Sequence, residues 1–105
     1  MKLHNTKALV KTILEQDRQA RNSDNYLYLR ILKHIETETG AEFEQIPVTE
    51  FLQKMDLLGV PPFESVRRSR QKVQAERPDL AADDVVQVFR AENEEIYTGF
   101  ARGLG

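Results

Sequence analysis

The sequence predicts an all-α fold, a single compact domain of four to five helices that includes a helix-turn-helix-like pair. Three observations carry that prediction. Every long segment repeats its apolar residues at spacings of three and four, and no stretch alternates long enough to read as a strand. Helix punctuation stands between the segments: capping residues before them, Gly40 and Gly59 after two of them, Pro61-Pro62 and Pro78 at joints. Finally, 105 residues allow one modest core but not two, so the whole of 1–105 reads as one domain.

The first helix is expected over 6–16. Asn5 caps it, and Leu9, Val10, Ile13 and Leu14 recur at helical spacing. A polar joint, Asp17 to Asn25, follows. Asn22 or Ser23 then caps a second helix over about 24–37, with Asp24 favourable to the dipole of its first turn. Leu27, Ile31 and Ile35 form its stripe, Tyr28 and Leu32 widen it, and Gly40 ends it. Residues 38–48 read as an acidic loop, Glu38, Glu42 and Glu44, with Phe43 and Ile46 turned to something apolar.

Thr49 caps a short third helix near 50–58 that buries Phe51, Leu52, Met55 and Leu58. After Gly59-Val60-Pro61-Pro62 a basic helix runs to Glu76, and Pro78 stops it by forcing the preceding residue out of helical geometry. Asp83 or Asp84 opens a last helix over about 83–101. Val85, Phe89, Ile96 and Phe100 lie along one face of it, flanked by Val86 and Tyr97. The second and last helices are expected to bury each other's stripes. The expected core is Leu9, Ile13, Leu27, Ile31, Leu32, Ile35, Phe51, Leu52, Leu58, Val66, Val85, Phe89 and Phe100.

Composition narrows the function classes. There is no cysteine, which removes disulfides, thiolate catalysis and zinc-thiolate sites and suits a reducing compartment. No apolar run approaches the roughly 20 residues that span a bilayer, and no signal peptide is recognisable, so a cytoplasmic location is expected. Enzyme signatures are missing. The glycines form no phosphate-binding loop, His4 and His34 are the only histidines, and His34 on the amphipathic second helix reads as a surface or boundary residue rather than a ligand or base. Ser23, Ser65 and Ser69 have no adjacent base, and Glu92 with Glu95 reads as a solvated helix face rather than a metal site. Neither catalysis, a cofactor nor a metal is expected.

Charge is distributed unevenly although the net is only −2. Residues 60–77 carry five basic side chains against two acidic, a balance of +3, whereas residues 78–105 carry two against six, a balance of −4. A short helix, a turn and a basic helix form the layout in which the second helix reads the DNA major groove. On a helical projection Phe63, Val66 and Val73 share the inner face. Arg67, Gln71 and Gln74 follow along one flank, and Arg68 and Lys72 form a row opposite the apolar face. Arg70 falls near the stripe, where its stem would lie against the core while the guanidinium reaches outward. Arginine and glutamine match the edges of guanine and adenine, and lysine suits phosphate. The candidate nucleic-acid-binding residues are therefore Arg67, Arg68, Arg70, Gln71, Lys72 and Gln74. The plainer account is a helix whose exposed side is basic because long polar side chains favour helices. Two features depart from a standard helix-turn-helix: the connection 59–62 is longer and stiffer than usual, and Met55 stands where a small residue is customary.

One set of residues runs in order through nearly the whole chain. It consists of Arg21-Asn22-Ser23-Asp24 with Leu27-Tyr28, then Glu64-Ser65-Val66-Arg67-Arg68 with Arg70-Gln71-Lys72, then Arg90-Ala91-Glu92-Asn93-Glu94 with Tyr97. It resembles small phage and prophage accessory proteins. The Ser65-Val66-Arg67-Arg68 run also resembles the start of recognition helices in winged-helix regulators, although only Pro78 and another helix follow it. The resemblance implies a mobile-element protein acting inside a bacterial cell; the expected partner is duplex DNA, from the basic helix, or a nucleic-acid-handling host protein, from that context. It also brings in a second class, the anti-CRISPR type of inhibitor that blocks an RNA-guided nuclease by protein contact. In that role Asp83, Asp84, Glu92, Glu94 and Glu95 would be the interaction face. A homodimer covering Ile96, Tyr97 and Phe100 would present two basic helices, as paired half-sites require.

Overall fold

The computed structural model describes residues 5–101, with side chains described through Asn93. Six α-helices and two 3₁₀ turns follow one another, and no strand occurs among the described residues. α1 spans Thr6–Gln16, and its N-cap Asn5 accepts a hydrogen bond from the Ala8 amide through its side chain. Val10, Ile13 and Leu14 are its buried side chains. Asp17 turns the chain in extended geometry: its amide closes α1 on the Ile13 carbonyl, and its carboxylate caps α2, Arg18–Asn22, at the Gln19 amide. That short helix was not expected from the sequence. Its one buried residue is Ala20, small enough to let the backbone come close to the core.

α3, Asp24–Thr39, starts where Ser23 Oγ accepts from the Tyr26 amide at 3.1 Å. It ends at Gly40, whose φ of 78° is the left-handed geometry a helix C-cap favours. Leu27, Ile31 and Ile35 make the buried stripe. A 3₁₀ turn at Phe43–Gln45 tucks Phe43 inward, with its amide donating to Glu36 Oε2 at 2.7 Å and its ring edge-on to Phe51 at 5.4 Å.

α4 is Val48–Gln53, shorter than expected and shifted toward the N-terminus. The Lys54 amide is shared between the Glu50 and Phe51 carbonyls, a 3₁₀-like tightening that ends the helix. Residues 54–62 then carry the chain over to α5, Phe63–Glu76, with Val60 buried on the way and Gly59 at φ 74°. α5 buries Val66, Arg70 and Val73.

α1 on α5 is the most extensive helix–helix interface, and α3 packs on both. α3 and α5 run antiparallel: Asp24 meets Arg70, while Tyr28 one turn later meets Phe63, ring to ring at 5.3 Å, and donates to the Pro61 carbonyl at 2.8 Å. Val60 and Leu80 from the connections close the ends of this three-helix core. A second 3₁₀ turn, Pro78–Leu80, leads to α6, Asp84–Ala101.

The core differs from the expected one in specific places. Ile13, Leu27, Ile31, Ile35 and Val66 are buried, and Leu9, Leu32, Phe51 and Leu58 pack against them half-buried. Val85 is 78% exposed, Phe89 63% and Leu52 62%, so none of the three is core. Over its described part α6 does not bury a stripe against α3. The place expected for α6 is taken by α1, and α6 is joined by polar ties at its start. The Asp83 amide donates to Asn22 Oδ1 at 2.8 Å, and Arg90 donates to the Arg21 carbonyl at 3.2 Å. The expected burial of Phe100, and of Ile96 and Tyr97 in a dimer, falls outside the residues whose side chains are described. No helix among the described residues is long and apolar enough to cross a membrane.

Candidate nucleic-acid interface

α5 brings the basic residues together, but it sorts them into two kinds. Its stripe positions fall at Val66, Arg70 and Val73, so Arg70 occupies a core slot. It is 7% exposed, and its Nε and Nη2 donate to the two carboxylate oxygens of Asp24 at 2.8 and 2.9 Å. The outward reach expected for its guanidinium is therefore corrected. An arginine taken out of water needs a fork-to-fork carboxylate, and the first turn of α3 supplies one. Gln74 is likewise turned inward, its Nε2 donating to the Arg21 carbonyl at 3.2 Å and the Leu80 carbonyl at 3.0 Å. It ties the α2–α3 joint to the segment after α5 and has no amide hydrogens aimed at a base.

Arg67, Arg68, Gln71 and Lys72 remain at the surface. Arg67 is held along its own helix, with Nε and Nη2 donating to Glu64 at 2.9 and 2.7 Å, and Arg68 Nε donates to the same carboxylate at 3.1 Å. The Arg67 hydrogen bonds, with Arg68 adding to them, draw the Glu64 carboxyl down to about 2.

Two further cations enter this surface from α1. Lys7 Nζ donates to Glu76 at 2.8 Å, and that bond holds the Glu76 carboxyl below its usual range, with Lys11 and Lys72 adding their charges. Lys7 thus ties α1 to the last turn of α5, where Lys72 stands one turn before Glu76 and Lys11 one turn after Lys7. Arg68 continues the row one turn before Lys72. Lys7 and Lys11 stand at i and i+4 in the sequence, but nothing there places α1 beside α5, so their part was not legible.

The acidic face is also divided. Asp83 accepts from Arg18 Nη2 and Asn22 Nδ2, each at 3.0 Å, and these bonds, Arg18 first, hold its carboxyl low. It is committed to the α2 joint. Asp84 and Glu92 are exposed, and the side chains of Glu94 and Glu95 lie outside the described residues. Arg90 leans on the same joint, 3.8 Å from Asp24, where burial first and the neighbouring Arg70 second draw its guanidinium below its usual value. Among the described residues no three His, Cys, Asp or Glu side chains gather as a metal site would require. Comparison of the chain with protein-family models, curated proteins and solved structures returns no match.

Proposed function

We propose that the protein binds nucleic acid through its phosphates, along the ridge where α1 and α5 meet. Arg68, Lys72, Lys7 and Lys11 would make the phosphate contacts, with Arg67 and Gln71 on the flank. The observation that carries this reading is the 2.8 Å ion pair of Lys7 with Glu76 across the α1–α5 interface, which sets the lysines of α1 beside the basic helix. Base reading has less support: Arg70 and Gln74 are engaged inside the protein, and Arg67 is held in a fork by Glu64. The affinity should therefore depend strongly on salt and weakly on sequence.

Association of two copies through α6 is the second part of the proposal. Val85, Val88 and Phe89 are exposed along one face of that helix, and a symmetric pair would place two basic ridges on one particle.

The test is titration of a labelled random-sequence duplex over a salt series. About four phosphate contacts give a slope of log affinity against log salt near −3.6. Replacing Lys72 or Lys11 with alanine should each flatten it by roughly 0.9. Lys11→Ala is the discriminating variant, because a site confined to α5 would ignore it. Absence of duplex binding at about 50 mM salt would sink the reading.

A further inference from the structure

A groove on the opposite side of α3 is lined by Leu29, Leu32, Phe43, Ile46, Val48 and Phe51 and has a volume of about 420 Å³. Two of these residues face solvent although they are aliphatic: Val48 is 73% exposed and Leu29 48%. The floor is firm, because Phe43 is buried and stacked edge-on against Phe51, and its amide is fixed by Glu36. The rim is acidic. Glu36 and Glu44 line it, and Glu42 shares an adjoining hollow with both of them. Lys33, the one cation among the described residues lining the groove, stands between Glu36 at 3.9 Å and Glu44 at 3.7 Å, so the two carboxylates outnumber it.

An apolar trough of this kind matches the side chains that one face of an amphipathic helix presents at i, i+3, i+4 and i+7. The glutamates select the charge of that helix's other face, since unlike charges across a rim speed encounter and like charges exclude a partner. We infer that this groove is a docking site for a basic amphipathic helix of another protein. The helix would seat its apolar side chains between α3 and α4 and its lysines or arginines against Glu42 and Glu44. α6 of a second copy is a poorer occupant. It is itself acidic, with Asp84, Glu92, Glu94 and Glu95 against Arg90.

This inference is independent of the nucleic-acid ridge and is tested separately. The full chain, labelled with ¹⁵N, is titrated with a synthetic leucine–lysine peptide patterned to form one apolar and one basic helical face. Two controls accompany it: a peptide of the same composition with the pattern scrambled, and a leucine–glutamate peptide of the same pattern. The expected result is saturable binding with shift changes confined to residues 29–52, and at least tenfold weaker binding of both controls. Val48→Asp should weaken binding at least tenfold without unfolding. Val48 is exposed, and an acid is favourable in the first turn of a helix. Glu42→Lys with Glu44→Lys should weaken it several-fold. No binding of the patterned peptide, equal binding of either control, shift changes centred on α6, or indifference to Val48→Asp would each overturn the proposal. So would a groove already occupied by a second copy, seen as concentration-dependent shifts at Leu29 and Val48 without any peptide.

Discussion

Arg70 shows how one residue can be read two ways. At the sequence level it is one of four cations within six positions of a basic helix. In the fold it occupies the slot between Val66 and Val73 and holds Asp24 in a two-bond fork. A signal was present. The positions 63, 66, 70 and 73 follow helical spacing, so a cation at the third of them either reaches past the core or needs a buried carboxylate. Asp24 was readable as a first-turn acid but not as that carboxylate, because 46 positions separate the pair. Removing one partner of a buried ion pair strands the other, which costs about 3–5 kcal/mol. Arg70→Ala should therefore lower unfolding stability by that amount in urea titrations. Arg68→Ala, on the exposed side, should stay within about 0.5 kcal/mol. Equal losses from the two variants would mean that Arg70 is not held as the geometry indicates.

At the scale of elements, what could be read was punctuation, and what could not was partnership. The limits of α1 and α5 and the start of α3 follow from Asn5, Pro62 and Ser23, because caps and prolines act within a few residues of themselves. α2 was missed because five residues, Arg18 to Asn22, are too few to show a period. α6 was placed correctly, but over its described part it does not pack its stripe on α3 as expected: an apolar stripe records that something should cover it, not which surface does. The consequence is measurable. Ile31, fully buried in α3, should cost about 2–5 kcal/mol on truncation to alanine. Phe89→Ala, by contrast, should change the stability of a single chain by no more than about 0.5 kcal/mol. A loss of several kcal/mol from Phe89→Ala at low protein concentration would place α6 in the core after all.

For the whole molecule, the proposed basic ridge and the α6 stripe respond to salt in opposite directions, which makes their roles separable. Phosphate binding by Lys7, Lys11, Arg68 and Lys72 weakens as salt rises, because the released counterions are then less favourable to release. Pairing of two α6 helices buries Val85, Val88 and Phe89 against their copies but also brings together the acids of two helices, four on each against one arginine. Salt screens that repulsion and leaves the apolar attraction in place. Light scattering at tens of micromolar should therefore show the mass rising from near 12.1 kDa toward twice that value as salt is increased. Phe89→Asp should hold it at the monomer value throughout. A monomer at every salt concentration would remove the dimer. The ridge would remain as a single site, with the same slope of affinity on salt and no preference for paired half-sites.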